Sequence, residues 1–268
     1  MKKRNIGAPL IIILVLIYLL IPLVVSIIYS LFANWTGLVP VGFTVKNYVD
    51  LFTDSNFLGC LGRTVIICIF PIAATILMVL LALFVTTIYF PKLEKYVQII
   101  CMIPYTIQGV ILSVSILSLY VGSSTFLNNR LVMLFGAYCI IILPYIYQGI
   151  KNGMNAVNMP MLLEAAEILG ASKIYAFFKV IVPNILSAII VSSLLAVGII
   201  FGDYVLIRNL AGSSFPNLQI FLYQTMKSDS MKASAVFVVI MMLTFLITAI
   251  VLYLKSREGR TKAQKVKG

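Results

Sequence analysis

The chain has 268 residues, of which 62% are hydrophobic and 10% charged, with a mean hydropathy of +1.09. A soluble domain is nearer half apolar and a quarter charged, so this composition excludes a water-soluble globular protein and indicates one surrounded by lipid. The formal net charge is +12, and the sequence has no base-reading motif, so we expect no nucleic-acid partner. We attribute the excess of basic residues to signals that set membrane topology and to contacts with anionic lipid headgroups.

Six apolar runs without charged residues predict six transmembrane helices, each near the roughly 20 residues that a helix needs to cross a bilayer. They cover about residues 10–31, 64–90, 97–121, 131–150, 184–201 and 233–254. Prolines inside four of these runs are tolerated where neighbouring helices satisfy the freed carbonyls. The prediction is an all-α membrane protein with a single transmembrane domain over residues 1–268.

The distribution of lysine and arginine predicts the orientation. If the N-terminus is cytoplasmic, the inside segments carry 14 of the 20 basic residues and the outside segments carry six. This bias agrees with the positive-inside rule and predicts that both termini are cytoplasmic. It also places the connection over residues 151–183 on the cytoplasmic side of a multi-pass protein.

Uncharged polar side chains recur within the third, fourth and fifth spans. Each costs free energy in lipid, so each should face protein or a water-filled path. The candidates for a substrate path are Tyr105, Gln108, Ser115, Tyr145, Gln148 and Ser192, together with Asp203 just after the fifth span. For the serines, hydrogen bonding between helices is an equal alternative, and for Asp203 the alternative is capping or pairing at the membrane interface.

The connection before the fifth span is charged yet helical in pattern. Pro160 can open a first helix and Gly170 can close it, because proline suits the first turn and glycine suits the position after the last. Ser172 is then a suitable N-cap for a second short helix over Lys173–Val180. The sequence therefore predicts an amphipathic helix–Gly–helix hairpin.

The first helix of this hairpin has two unlike sides. Apolar residues at helical spacing form one stripe: Leu162, Ala165, Ala166 and Leu169. Glu164 and Glu167 lie on the opposite side, one turn apart, without a lysine four residues away from either. Two interpretations stay open: a solvated polar face, or a docking face for a cytoplasmic partner that supplies arginine or lysine.

The same residues carry a resemblance to a known family. Glu164, Ala165 and Ala166 are followed after three residues by Gly170 and after nine more by Val-Ile-Val and Pro183. This resembles the "EAA" loop of bacterial ABC importer permeases, whose pattern is E-A-A-x3-G-x9-I-x-L-P, with valine here at both aliphatic positions. The resemblance extends over about residues 40–254 and implies that the loop is a coupling helix held in a groove of an ATP-hydrolysing subunit.

The resemblance also implies the partners. The chain has no G-x-x-x-x-G-K-[ST] sequence to cradle ATP phosphates, so ATP hydrolysis is expected in separate subunits and no cofactor in this one. The implied complex contains two ABC ATPase subunits, a second permease that is a copy or a paralogue, and an extracellular substrate-binding protein. The expected place is the bacterial cytoplasmic membrane.

The solute is suggested only by short matches. The segment Phe201–Gly212 resembles one in spermidine/putrescine permeases, and Leu169-Gly170-Ala171 resembles importers of polyamines, phosphonate, sulfate and ferric ion. A polyamine is therefore the predicted solute, with phosphonate, ferric ion or another oxyanion as the alternative.

Two other classes of protein compete with this assignment. A membrane-embedded enzyme would need clustered acidic groups or histidine. The sequence has no histidine and no C-x-x-C pair, so we expect neither a catalytic site nor a metal site. We interpret the four cysteines as buried apolar residues. A stand-alone channel or secondary carrier is the third class, and an ATPase that co-purifies with the chain would distinguish it from an ABC permease.

Overall fold

The computed structural model describes residues 7–35, 40–123 and 125–265. Within these residues four helices are long and apolar enough to cross a membrane, and the number rises to six when each of two bent helix pairs counts as one span. Apart from one short hairpin, the regular structure of this part of the chain is helical. The predicted all-α fold with six spans is confirmed.

The elements follow one another closely along the chain. The helices are α1 (Gly7–Ser30), α2 (Lys46–Thr53), α3 (Ser55–Ile88), α4 (Glu94–Met102), α5 (Gly109–Tyr120), α6 (Arg130–Ala156), α7 (Met159–Ile168), α8 (Lys173–Ala176), α9 (Val182–Asn184), α10 (Leu186–Gly202), α11 (Val205–Leu210), α12 (Leu218–Ser228) and α13 (Ser230–Lys265). Two antiparallel strands, β1 (Phe32–Asn34) and β2 (Val41–Phe43), form a hairpin between α1 and α2.

The chain forms two compact units, and the first comprises Met1–Cys60 and Ile220–Leu243. Phe57 lies at the centre of this unit, fully buried, with the rings of Phe52 and Phe221 edge-on at 5.9 and 5.6 Å between centroids. The side chains of α1 are exposed on every side from residue 11 to residue 21, as expected for a helix surrounded by lipid. Our prediction of a single domain remains a prediction.

The second unit comprises Leu61–Gln219 and Thr244–Gly268 and is built around α6. Every fourth residue along one face of α6 is fully buried: Leu134, Tyr138, Ile142, Ile146 and Ile150. This helix packs against α10, α11, α4 and α5. A continuous row of buried side chains at this spacing is what makes α6 the central helix of the unit.

Several helices extend beyond the apolar runs that predict them. Helix α3 begins at Ser55 rather than near residue 64, and Arg63 lies inside it. The Arg63 guanidinium is accommodated because it donates to the carbonyl of Pro216 at 3.3 Å and lies 5.9 Å from the centre of the Phe215 ring. A charge-free run therefore marks the apolar part of a helix and not its ends.

The third predicted span, residues 97–121, is not one helix. Helices α4 and α5 are joined by a 3-10 turn over Ile103–Thr106 and meet at an angle of 103°. Pro104 lacks the N–H that would continue α4, and Ile107 and Gln108 are extended before α5 starts at Gly109. The third span is therefore broken rather than continuous, and α4 and α5 together count as one of the six spans.

The second arm of the hairpin also differs from its prediction. Instead of a single α-helix over 173–180, α8 leads into a π-helical turn over Phe177–Ile181, and α9 follows. Pro183 cannot donate to the carbonyl four residues earlier, which favours a widened turn at this point. The Asn184 side chain donates to the Val180 carbonyl at 2.8 Å. The pair Lys173–Asn184 and Leu186–Gly202 is bent by 65°.

Candidate functional site

The connection before α10 folds as a hairpin of two short helical arms. Pro160 lies in the first turn of α7, and Gly170 follows the helix with φ +81, where a residue with a side chain is strained. Ser172 caps α8, since its hydroxyl accepts a hydrogen bond from the Tyr175 N–H at 3.3 Å. The helix, the glycine turn and the capped second arm agree with the sequence-based prediction of this hairpin.

The predicted apolar stripe of α7 is divided between two environments. Ala166 is buried within the protein, where α7 packs against the π-helical turn of the second arm. Ala165 is exposed, and Ile168 and Leu169 are each 86% exposed at the tip of the hairpin. Large apolar side chains that are this accessible indicate a surface that a partner can cover.

The two glutamates of α7 differ in their surroundings. Glu164 and Glu167 are both exposed, but Glu167 lies 3.8 Å from the Lys173 ammonium across the glycine turn. This pair was not predicted, because Lys173 is six residues from Glu167 rather than four. Both partners are largely solvated, so the contact contributes little, at most about 1 kcal/mol. Glu164 forms no ion pair within the described residues.

The base of the hairpin is held by an aromatic cluster. The Phe84 ring, near the end of α3, lies 5.1 Å from Phe177 and 5.9 Å from Phe178 between centroids. Phe177 and Ile181 are fully buried. Pro183, the last residue of the family pattern, follows within α9 at the junction with α10. The edge-on contact with Phe177 and the tilted contact with Phe178 fix the second arm against α3.

An ion pair fixes the end of α6 close to the start of the hairpin. The Lys151 ammonium lies 2.5 Å from a carboxylate oxygen of Glu94, the first residue of α4. The two side chains are only 20% and 32% exposed. Sequence analysis placed Lys151 in a loop, but α6 continues to Ala156, so this lysine is a helical residue held by a partner on another helix.

Two of the predicted path residues, Tyr105 and Tyr145, are in contact beside the break between α4 and α5. The rings of Tyr105 and Tyr145 are 4.8 Å apart between centroids. Gln148 is exposed one turn further along α6 and donates to the Asn152 side chain at 3.1 Å. Gln108 is exposed at the break itself. The structure thus pairs the two tyrosines and leaves both glutamines exposed, and the assignment of these residues to a substrate path stays a prediction.

The two predicted serines are placed differently. Ser115 is exposed on α5, where the structure gives it no hydrogen bond with another described residue. Ser192 is buried and donates within its own helix to the carbonyls of Ala188 and Ile189, each at 3.0 Å. Both hydrogen bonds lie within α10 and so are not the predicted bonds between helices, and a position of Ser192 on a path stays a prediction.

Asp203 ends α10 and begins α11, outside the spanning segment. Its carboxylate accepts hydrogen bonds from the Tyr138 hydroxyl at 3.0 Å and from the Leu206 N–H at 3.1 Å. Burial raises the pKa of the Asp203 carboxyl above its usual value, while the hydrogen bond from Tyr138 acts in the opposite direction. These contacts agree with the capping alternative, and a position of Asp203 on the substrate path stays a prediction.

A contact between α6 and α10 was missed by sequence analysis. A Cβ added at Gly149 would lie 2.4 Å from the Ser192 Cβ, and one added at Gly153 would lie 2.5 Å from the Ala188 Cβ. We call these four residues the glycine seam. The signal was present as a G-x-x-x-G spacing in an apolar helix, a pattern typical of closely packed membrane helices.

Comparison with known proteins relates this arrangement to one family. A family model described as binding-protein-dependent transport system inner membrane component matches residues 79–258. The spermidine/putrescine transport system permease protein PotC of Haemophilus influenzae is 27% identical over 213 residues, covering 79% of this chain and 81% of that protein. PotC of Escherichia coli K12 is 23% identical over 253 residues, covering 91% and 92%.

Other relatives carry different names. A putative 2-aminoethylphosphonate transport system permease protein, PhnV of Salmonella typhimurium, is 24% identical over 190 residues, covering 69% of this chain and 71% of that protein. Among solved structures, a bacterial alginate ABC transporter in complex with an alginate pentasaccharide-bound periplasmic protein superposes with a TM-score of 0.73. That match covers 95% of this chain and 96% of the other at 18% identity, and so concerns the fold.

Proposed function

The chain belongs to the family of binding-protein-dependent transport system inner membrane components, and on this basis we propose that it forms half of the translocation pore of an ATP-driven importer of a polyamine. Its role as the membrane-embedded permease subunit of an ABC importer follows from the family. The solute, the ATPase contact and the orientation in the membrane belong to the proposal.

The exposed tip of the hairpin is the observation that carries the proposal. Ile168 and Leu169 are almost fully accessible, Ala165 lies beside them, and Glu164 has no ion-pair partner among the described residues. The chain has no phosphate-binding loop of its own. A groove on a separate ATPase that offers apolar side chains and a basic group would cover this tip, and the helix would then pass the motion of the ATPase to α10.

The break between α4 and α5 supports a pore shared with a second permease. Non-helical backbone within an apolar span is tolerated only where protein covers it or where it lines a water-filled cavity. Tyr105 and Gln108 are exposed at this break, and Tyr145 and Gln148 adjoin them. A second permease subunit facing this surface would enclose a polar path between the two chains.

The surface at this break suits a small organic cation that is held weakly. Aromatic faces attract ammonium groups, and the amide oxygens of Gln148 and Asn152 accept hydrogen bonds from them. Spermidine, putrescine and 2-aminoethylphosphonate, named for the relatives, all carry an amino group. A site without a fixed charge would release such a solute readily, which suits transport.

An oxyanion importer is the second candidate. Arg208 on α11 is exposed and could attract an anion, whereas the nearby Asp203 carboxylate is engaged by Tyr138 and by the start of α11. The relatives named for 2-aminoethylphosphonate point in the same direction. Selectivity would then reside in a phosphonate-binding partner outside the membrane.

The test combines purification and uptake. The tagged chain is purified from the cells that naturally produce it, and we expect two ATPase subunits and a second permease to co-purify with it. Uptake of labelled spermidine and of 2-aminoethylphosphonate is then compared in cells lacking other importers. Tyr145→Ala should lower spermidine uptake, with Tyr18→Ala, which truncates an exposed tyrosine of α1 outside the predicted path, as the control.

The outcomes distinguish the identity of the solute from the role of the chain as an ABC permease. Uptake of the phosphonate alone would replace the polyamine with an oxyanion and leave the permease role standing. Transport that persists without any ATPase would favour a stand-alone carrier or channel and overturn the role of the hairpin.

A further inference from the structure

Helix α2 carries an exposed apolar face that the proposed transport function does not use. Val45, immediately before the helix, and Val49 and Phe52 within it are 54%, 58% and 54% exposed. Their spacing of four and three residues places them on one stripe of the helix surface. In the adjacent strand β2, Val41 and Phe43 are 68% and 70% exposed.

A second face of α2 is tied to the end of α1. The Tyr48 hydroxyl and the Ser30 hydroxyl are 2.6 Å apart, and the Asn47 amide donates to the Ser30 carbonyl at 3.2 Å. Ser30 is the last residue of α1, and it ends a largely apolar candidate span of 20 residues that starts at Ile11. These contacts hold α2 at the level at which α1 leaves the membrane.

The third face of α2 is charged. At 100° per residue, Lys46 and Asp50 lie between the exposed apolar stripe and the face that is tied to Ser30. A helix with one apolar face, one polar face and an attachment to the end of a span matches the pattern of helices that lie in the plane of a membrane interface.

An aromatic pair marks the same level. Tyr29 and Trp35 are stacked with their ring centroids 4.1 Å apart and their planes inclined by 8°. Tyrosine and tryptophan concentrate at membrane–water interfaces, where an apolar ring and a polar edge are both satisfied. The pair therefore indicates that the residues between α1 and α2 lie at the membrane–water interface.

We propose that α2 is an in-plane membrane anchor whose apolar face, Val45, Val49 and Phe52, is inserted among the lipid acyl chains at the membrane surface reached by the end of α1. Lipid is the occupant because α2 is hydrogen-bonded to the end of a span whose sides are exposed, and because the side chains of the apolar face offer no hydrogen-bonding group. Lys46 and Asp50 then face headgroups and water. The inference holds whichever solute the protein carries.

The chain contains one tryptophan, which makes the anchor directly measurable. In a Trp35→Phe background, Phe52→Trp reports on the apolar face, and Asp50→Trp, two residues earlier, is the matched control on the polar face. Each full-length variant is reconstituted in vesicles of phosphatidylcholine and phosphatidylglycerol. Its emission is recorded with and without phosphatidylcholine brominated on the acyl chains, and with acrylamide in the water. Val49→Trp serves as a second reporter of the apolar face.

We expect Phe52→Trp to emit at shorter wavelength than Asp50→Trp, to lose more emission to brominated lipid, and to lose less to acrylamide. Equal quenching of the two variants by brominated lipid would overturn the proposal. A second result would also overturn the proposal. If acrylamide quenches both apolar-face reporters strongly, and this quenching disappears only when the binding protein or other subunits are added, the face belongs to a protein partner.

Discussion

Gly149 illustrates how a single methyl group decides the packing of two helices. An ordinary contact between a Cβ and a neighbouring atom lies above 3.4 Å, but a Cβ at Gly149 would lie 2.4 Å from that of Ser192. The backbones of α6 and α10 can approach this closely only because the glycine seam lacks side chains on α6 and has small ones on α10. Van der Waals contact of this kind is the main attraction between helices in lipid.

Gly149→Ala should therefore destabilise the protein by about 1–3 kcal/mol, because the two helices must separate to admit the new methyl group. The measurement is the thermal unfolding of the purified protein in detergent. Gly136→Ala on the same helix is the matched control, since nothing lies within 4 Å of an added Cβ there.

A second substitution tests the cause of this loss. Removing the opposing side chain with Ser192→Gly should restore much of the stability of Gly149→Ala, since the remaining neighbour is the Ser192 Cα at 3.6 Å. If the losses in the free energy of unfolding of the two single variants simply add in the double variant, the two side chains are not in contact and the proposed packing of the seam is wrong.

Asp203 caps α11 and is also a candidate residue of the substrate path, so its substitution tests both roles. Asp203→Asn keeps an oxygen that can accept from the Leu206 N–H but removes the negative charge. For a polyamine we expect a modestly lower uptake rate, and for an anion an unchanged or higher rate, because only the cation is attracted by the carboxylate. Asp229→Asn, another capping aspartate, is the control. An equal change for both solutes would mean that Asp203 acts only through the fold.

At the scale of the element, the hairpin combines a fixed base with an accessible tip. Phe84 and Phe177 fix the second arm, whereas Ile168 and Leu169 remain open. The neighbouring alanines of α7 divide along the same line, since Ala166 faces the protein and Ala165 faces outwards. Substitutions at the two positions should therefore have separable effects.

Ala165→Leu should leave the stability of the permease within about 0.5 kcal/mol of the original, because the new side chain enters open space. It should abolish solute-stimulated ATP hydrolysis if an ATPase groove covers this position. Ala166→Leu should instead destabilise the permease itself by about 1–3 kcal/mol, because its site is already filled. Thermal unfolding and ATP hydrolysis of the reconstituted complex are measured for both. Normal coupling in Ala165→Leu would argue against docking at this face.

Glu164 tests the charge of the partner. Glu164→Lys should reduce recovery of the ATPase in a pull-down by more than about twofold, which exceeds the usual effect of a change on a solvated surface. Glu164→Gln, which removes the charge without reversing it, should have a smaller effect. Equal recovery with both variants and the original would favour a solvated polar face.

The hairpin was largely predictable from the sequence, and the reason lies in its few strong local signals. Pro160, Gly170 and Ser172 each act within one turn of the chain, so their positions suffice to predict the arms. The ion pair of Lys151 with Glu94 and the glycine seam connect distant segments, so the order of the residues alone could not pair them. The break at Pro104 was missed because an apolar run has the same composition whether or not its backbone is continuous.

At the scale of the whole molecule, the surface is the main evidence for its surroundings. The side chains of α1 from residue 11 to residue 21 are exposed, and large apolar side chains of α3, α5 and α13 are exposed as well. Lipid, the partner subunits or both must cover this area, because water would not support it. The predicted orientation decides which end of each span meets the ATPase.

A pair of fusions tests that orientation. A green fluorescent protein joined to the C-terminus should fluoresce in cells, because the C-terminus is predicted to be cytoplasmic. Alkaline phosphatase joined after Lys227, in the connection that precedes the sixth span, should be active, because that connection is predicted to lie outside. Reversal of both results would invert the topology and place the hairpin on the outer side.

The glycine seam also has a consequence for biosynthesis. Ala188 and Ser192 are synthesised about 40 residues after Gly149 and Gly153, which at roughly 5–20 residues per second is a delay of several seconds. Throughout that interval α6 must reside in the membrane or beside the insertion machinery with its amide side chains and glycines uncovered. A substitution in the seam would thus leave a newly inserted helix without its partner. Quality-control proteases would then degrade the chain, and the amount of protein in the membrane would fall before any loss of transport is measured.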